Sequence, residues 1–475
     1  MPMGGNESSV AVIGGGIAGL AAAWEVTNAG GSAIVLESEA RVGGVITSER
    51  RGDYLVEMGP ASAIMTPELS RLISSLGSRI RRVDPLPSAR RRYVVRGARL
   101  IAVPTTPPAM LASPLLSVVG KARALADLVL PRAHATDEEE SLAALARRRF
   151  GKEVAEYLID PMVSGIYAGD PERLSSRHTL RALYDLEQRH GSVIRGAIRM
   201  SRARRQAKAA DPDGAHRSMF SFRGGLRELP DAIAASLGSA VRLRTRVRAL
   251  APEGTHWRLD CEGVDGVVRR IRVSSVIATI PAHALAAMEM PAALRLAIAP
   301  VERVANVAVA TVALGFRRSE IAHPLDGFGA LVPHAEHSGI LGVLFSSSIF
   351  QSRAPAGSAL VTCMIGGARN ASAAHEGEQA LVRRALDAIG PLLGISAQPS
   401  FVRAKRWPNA IPQYELRHDL VVEAVSSAEQ RFSGLYLSGS YCDGVSIGDR
   451  VASGIRAGAR AAALGTIGLE QRRLG

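Results

Sequence analysis

Aromatic residues are scarce: nine Phe, eight Tyr and three Trp make up 4% of the 475 residues. That is too few for a base-stacking platform along single-stranded nucleic acid, and no nucleic-acid-binding motif accompanies them. Cysteine is scarcer still. Cys261, Cys363 and Cys442 are odd in number and far apart, which excludes a disulfide framework and gives no metal-ligand spacing. Three isolated thiols suit a reducing compartment. No run approaches the roughly 20 uninterrupted apolar residues that a spanning helix needs. The best stretch, Met110 to Leu130, is broken by Pro114, Lys121, Arg123 and Asp127. Met1 to Ser9 is short and polar, so a secretory leader is not expected.

What is present is a core-forming composition, 47% hydrophobic and 21% charged. The length predicts two or three domains. Lys and Arg number 58 against 44 acidic residues, a net charge of +14. Such an excess favours anionic partners: nucleic acid, an acidic membrane surface or a polycarboxylate substrate. A basic nucleotide- or nucleic-acid-binding protein without catalysis is therefore one reading, though charge alone supports it.

The N-terminal region points elsewhere. Val10 to Ile13 reads as a buried strand, Gly14-Gly15-Gly16 as a turn, Ile17 to Ala29 as an Ala-rich helix, and Ser32 to Leu36 as a second strand. Gly14, Gly16 and Gly19 form G-x-G-x-x-G between strand and helix. The first permits the turn, the second lets backbone approach a diphosphate, and the third lets helix pack on strand. The diphosphate would meet the helix N-terminus around Gly15, Ile17 and Ala18. Glu37, followed by Ser38, closes the second strand at the spacing of a ribose-binding carboxylate. Arg41-Val-Gly43-Gly44 adds a second glycine turn with a cation, a pattern of FAD-binding rather than NAD-binding chains. Gly59-Pro60, after Glu57-Met58, resembles a segment that passes close to a flavin ring.

Further along, residues 110 to 210 read as mostly helical. An acidic run at Asp137 to Glu140 is predicted to start a helix, and an Arg-rich helix covers Arg195 to Lys208. Val241 to Arg248 alternates apolar and basic residues and reads as one strand. The last strand is predicted over Gly434 to Ser438 and the last helix over Ser453 to Ala463.

Several segments resemble the protoporphyrinogen oxidase family of FAD enzymes, of the amine-oxidase type. They are Phe150 to Asp170, Arg92-Tyr93 to Pro104-Thr105, Gly327 to Pro333, Leu341 to Phe350, Gly366 to Asn370, Ile411-Pro412-Gln413-Tyr414 and Gly444 to Ile447. The likeness runs from about residue 10 to 463. It departs from the family at Arg417 before His418, at Gly448-Asp449-Arg450, and in the uncharged stretch Ala61 to Met65.

The resemblance implies an α/β fold: a discontinuous Rossmann-type FAD-binding domain (8–84, 213–282 and 406–468), an α+β substrate domain (hairpin 85–103 and 283–405) and a mainly helical membrane-type domain (104–212). It implies FAD contacts at Val247, Trp407, Val445, Ser446 and Ile447 as well. Substrate contacts are expected from Leu331, Val343, Phe345 and Met364, with Arg92 and Arg369 meeting carboxylates, although the first four also suit a strand core. No metal is expected. The implied reaction is a six-electron oxidation of protoporphyrinogen IX in three flavin turns, with dioxygen as acceptor and hydrogen peroxide released. Coproporphyrinogen III is the alternative substrate, and an amine oxidase or carotenoid desaturase the alternative enzyme on this scaffold. Flavin chemistry needs no strong base; His418 is the nearest candidate. The implied setting is cytoplasmic and peripheral on an anionic membrane, through Met110 to Leu130 and Arg195 to Lys208, with a ferrochelatase partner, a homodimer, and no nucleic acid.

Overall fold

The computed structural model describes residues 10–132, 139–210 and 218–474. The strand Val10–Ile13 is buried at every residue. Ala33–Leu36 and Ser275–Ala278 flank it, both parallel. Val241–Arg242 and Leu435–Leu437 complete a five-stranded parallel sheet. Burial on both faces explains why these strands are continuous apolar runs without alternation. One face packs on the helices Ile17–Asn28 and Ile447–Leu474, through Val10, Val12, Val35, Ala22, Val26 and Ala461. A Cβ on Gly454 would lie 2.1 Å from the Ala18 carbonyl oxygen, and one on Gly458 2.5 Å from that of Ala22. Those two glycines let the helix backbones touch. The other face is covered by the antiparallel meander Arg246–Glu253, His256–Glu262 and Val268–Val273, through Trp257, Leu259 and Val273.

The single strand expected from Val241 to Arg248 is two strands. Arg244, at φ 50°, turns the chain so that Val241–Arg242 ends the parallel sheet and Arg246–Glu253 starts the meander. Val241–Arg242 is half-buried and Arg246–Glu253 begins with alternating exposed and buried residues, so the alternation of residue types runs through the break unmarked. The last helix begins at Ile447, six residues before the expected Ser453, because Ser446 caps it.

A second, mixed sheet has seven strands in the order Phe401–Pro412, Asn306–Arg317, Ser358–Gly366, Gly342–Leu344, Gly329–Leu331, Tyr93–Arg96 and Arg99–Ala102. The expected boundary at 405/406 falls inside its first strand, which stays paired with Asn306–Arg317 on both sides of that point. One face carries Ala310, Val312, Leu314 and Phe316 against the helix Glu378–Leu393. The opposite face carries Ala313 and Leu360 against Val56 and Met58 of the hairpin strand Tyr54–Glu57 and its exit. That contact brings the substrate-side sheet to the nucleotide-side chain.

The segment 107–210 is mostly helical, with Leu142–Phe150, Asp160–Tyr167, Arg181–His190 and Val193–Ala210 its main helices. Asp137 and Glu138 of the acidic run lie outside the described residues. The next helix starts at Leu142 behind Ser141, whose Oγ accepts the Ala144 N–H at 3.2 Å. Glu140 serves instead as a cross-link to Arg148, at 2.7 Å. Met110 to Leu130 resolves into two short helices, Pro107–Ala112 and Val118–Leu125. Among the described residues no helix is long and apolar enough to cross a membrane.

Candidate active site

The first glycine turn is built for a ligand at a helix start. Gly14 sits at φ 103° and donates its N–H to Leu36 O at 2.9 Å. A Cβ on Gly19 would stand 2.0 Å from the Gly14 carbonyl oxygen, so helix and strand meet at backbone distance. Gly16 is the N-cap, and no side chain caps the helix Ile17–Asn28. Its first-turn N–H groups therefore lack the side-chain acceptor such groups ordinarily find. A Cβ on Gly16 would meet nothing within 4 Å. A Cβ on Gly44 would have Gly16 Cα, at 3.7 Å, as its one neighbour. Two glycine turns are thus packed together at a positive helix end that is open beside Gly16, which fits a diphosphate.

Glu37 is buried beside these turns. Its Oε2 accepts the Gly15 N–H at 2.6 Å and its Oε1 the Glu39 N–H at 2.8 Å, with Ser38 Oγ at 3.4 Å. The Thr245 N–H donates to Glu37 O at 2.8 Å, and this draws in the strand that carries the buried Val247. Gly43 donates to Gly15 O at 2.8 Å and docks the second turn on the first. Arg41 holds that turn from outside. Its Nη2 reaches Gly44 O at 2.6 Å and Thr47 Oγ1 at 2.8 Å, and its Nη1 reaches Val42 O at 3.0 Å. Burial, then the nearby Arg227, lowers its pKa.

From the second turn the chain leads to Gly59, where a Cβ would lie 2.0 Å from Val45 O, and then to the half-buried Pro60. The Trp407 indole N–H donates to Met58 O at 2.7 Å. The Lys405 ammonium sits 4.0 Å from the centre of that indole and 3.4 Å from Thr47 Oγ1. Burial, then Arg41, lowers its pKa. Lys405 and Arg41 therefore converge on one hydroxyl beside the second turn. The spacing of Lys405 along an exposed-looking strand gave no sign of this.

On the other side stand the half-buried Val445, the exposed Ser446 and the buried Ile447. Ser446 Oγ donates to Asp449 Oδ2 at 2.6 Å and accepts the Asp449 N–H at 3.1 Å. A Cβ on Gly448 would be 2.6 Å from Thr66 Cγ2, which sets this helix start against the segment after Pro60. Tyr414 fastens the approach: its hydroxyl donates to Ser440 O at 2.6 Å and accepts the Gly444 N–H at 2.9 Å.

Beside Gly59 lies a cavity lined by Ala61, Leu344, Met364, Thr311, Glu57 and Arg353, among others. Of the expected substrate contacts, Met364 is here. Val343 is not: in the strand Gly342–Leu344 neighbouring side chains alternate faces, so Leu344 meets the cavity and Val343 enters the core behind the sheet. Phe345 is fully buried in that core beside Tyr93 and His323. Leu331 is half-buried against Gly165. Arg92 is exposed, its guanidinium 5.3 Å from the Phe328 ring, and does not line this cavity. Arg369 is already engaged by two carboxylates, Asp160 and Asp170, the latter at 2.7 Å. Asp160 and Asp170, both within the Phe150 to Asp170 segment, thus clamp the Gly366–Asn370 turn.

His418 does not stand where a base is needed. It is 3% exposed, stacks on Tyr414 at 4.3 Å between ring centres, and meets the His178 edge at 5.2 Å. Burial, then the neighbouring His178, pushes its pKa down to about 4. It is a neutral core side chain behind the Gly444 turn. Among the described residues no group of three or more His, Cys, Asp or Glu could hold a metal.

The family model of flavin containing amine oxidoreductases matches residues 17–464. The chain belongs to this family. A protoporphyrinogen oxidase of Arabidopsis thaliana chloroplasts and mitochondria is 31% identical, over 94% of this chain and 92% of its own. The mitochondrial protoporphyrinogen oxidase of Nicotiana tabacum is 33% identical, over 95% and 94%. The coproporphyrinogen III oxidase of Bacillus subtilis is 30% identical, over 95% and 97%. Among solved structures, cyclohexylamine oxidase from Brevibacterium oxydans superposes with TM-score 0.68 at 18% identity, over 96% of this chain and 99% of that one. This flavin containing amine oxidoreductase is thus an FAD-dependent oxidoreductase of mixed α/β fold. Amine-oxidase-type structures share the fold, and the curated relatives named above oxidise porphyrinogens.

Proposed function

We propose that the enzyme oxidises protoporphyrinogen IX to protoporphyrin IX in three two-electron turns, with dioxygen as acceptor. The observation that carries this reading is the cavity at Gly59, downstream of the two glycine turns, where one sheet face brings Leu344, Thr311 and Met364 to the backbone that would border the flavin. Glu37 would hold ribose hydroxyls, the N–H groups behind Gly16 with Arg41 nearby would hold the diphosphate, and Gly59-Pro60, Trp407 and Val445 to Ile447 would flank the ring. Bound there, FAD supplies a hydride acceptor. The protein's part is to orient the macrocycle and exclude water. Leu344 and Met364 offer it apolar surface.

The test is porphyrin fluorescence in air with protoporphyrinogen IX and coproporphyrinogen III in parallel. The proposal expects at least a roughly tenfold preference for the first, a difference of about 1.4 kcal/mol. A reversed preference would reassign the substrate, and inactivity on both would remove the reading.

The same reading places the enzyme on an anionic membrane surface. Leu111, Val118, Val119 and Val129 are 62, 81, 78 and 80% exposed on adjoining turns. Arg195 joins them, with Nη2 on Leu128 O at 2.5 Å. Apolar side chains rimmed by cations suit a lipid interface. Co-sedimentation with phosphatidylserine vesicles should occur and should drop when Val118 and Val119 are both changed to Ser. Unchanged binding in that double variant would rule out this face.

A further inference from the structure

The cavity beside Gly59 has two charged walls that the account above leaves unused. The side chains of Arg353 and Glu57 are 2% and 8% exposed. Arg353 Nη2 donates to Ser221 Oγ at 2.7 Å and to Phe222 O at 3.3 Å, and lies 3.6 Å from Glu57 Oε1. Its Nη1 is buried without any hydrogen-bond partner. A buried guanidinium donor left unpaired is costly, and this one borders a space that has hydroxyls on other walls, Thr311, Ser346 and Thr362. Those are the partners an internal water needs.

We propose that Glu57 is the proton-holding residue of this oxidase, linked through cavity water to the reacting centre, with Arg353 positioning it. The inference rests on the porphyrinogen-oxidase reading. In each turn the macrocycle loses two hydrogens: bound FAD would supply the acceptor for a hydride from carbon, and the Glu57 carboxylate takes the proton of a pyrrole nitrogen. Dioxygen then takes both electrons and both protons and leaves as hydrogen peroxide. Glu57 returns to its carboxylate form and no other reductant or oxidant is needed.

The surroundings suit a group that must load and unload a proton near neutrality. Burial pushes the Glu57 pKa up to about 7. Opposing this are Ser48 Oγ, donating at 2.5 Å, the charge of Arg353, and the Leu226 N–H, donating at 2.9 Å, while the charge of Glu228 adds to the upward push. A carboxyl poised at the working pH is the best compromise for accepting and returning a proton. Its chain position, two residues before Gly59, puts it on the cavity wall that the flavin ring would border.

The decisive experiment needs no porphyrinogen. The FAD-loaded full chain is reduced with dithionite and its reoxidation by dioxygen is timed across the range from about pH 5 to pH 9, with an infrared titration of the carboxyl band alongside. In the wild type the reoxidation rate should fall as pH rises through the value at which the band titrates, since the protonated carboxyl is the donor. Glu57→Gln should lose the band and the limb, and reoxidise about tenfold or more slowly below it. Ser48→Ala removes a donor to the carboxylate, so band and limb should move up together. That second variant decides the matter should Glu57→Gln fail to keep FAD. A limb that survives in Glu57→Gln, or that stays put while the band moves in Ser48→Ala, would overturn the proposal. If the limb behaves as described but neither porphyrinogen is oxidised, the substrate reading and the pyrrole step fail, and Glu57 stands as the proton donor of reoxidation alone.

Discussion

Gly16→Val folds and elutes without FAD. The added Cβ meets nothing within 4 Å, so the fold has no reason to object. The valine methyls project instead into the open space at the helix N-terminus, where a diphosphate must come within hydrogen-bond distance of the helix N–H groups. Losing two charge-assisted hydrogen bonds costs about 3 kcal/mol or more, roughly a hundredfold or greater loss in affinity. Gly19→Val is the control of opposite kind. Its Cβ would sit 2.0 Å from the Gly14 carbonyl oxygen, so that variant should lose the fold along with the cofactor. Flavin per chain after gel filtration, read against an unchanged far-ultraviolet dichroism for Gly16→Val, separates the two. A Gly16→Val protein with one flavin per chain would move the diphosphate elsewhere.

Arg149→Met destabilises the protein by about 3–5 kcal/mol, the range for breaking one partner of a buried ion pair. Arg149 and Asp127 are both 0% exposed, with Nε to Oδ1 at 2.5 Å. The guanidinium also donates to Asp127 O at 2.9 Å and Gly191 O at 3.0 Å, while Asp127 Oδ2 accepts from Ser192 Oγ at 2.6 Å and the Ile194 N–H at 2.8 Å. The pair ties the 126–131 turn to the start of the helix Val193–Ala210. Methionine fills the space and takes the cation away from two buried carboxylates, Asp127 and Glu187, the latter 3.5 Å from Arg149 Nη1. Asp127→Asn in the same chain removes one of those charges and should recover part of the loss. Denaturant midpoints of the two variants check this, and equal midpoints for Arg149→Met and wild type would show that solvent reaches the pair.

The nucleotide half of the fold was legible because its constraints are local. Gly14, Gly16 and Gly19 each answer a backbone demand within one turn, and Glu37 follows at a fixed distance along a short strand. The substrate half depends on pairing between distant strands. Val343 and Leu344 are both apolar and both plausible, and only the sheet register decides that Leu344 meets the cavity. Arg369 invited a carboxylate ligand, and its two carboxylates proved to be Asp160 and Asp170 of the same chain. Glu57 and Arg353 are 296 positions apart in a sequence with many acids and arginines, so nothing local marks them as neighbours. His418 stood beside the Ile411 to Tyr414 motif, but that motif works inward, holding the Gly444 turn through the Tyr414 hydroxyl.

The central claim is that an FAD seated between Gly16 and Gly59 takes electrons directly from a porphyrinogen. Mixing the FAD-loaded protein anaerobically with protoporphyrinogen IX tests it most directly. The account predicts that the flavin absorption bleaches as the porphyrin Soret band rises, and returns when air is admitted. A flavin band that stays oxidised while the porphyrinogen is unchanged would contradict it.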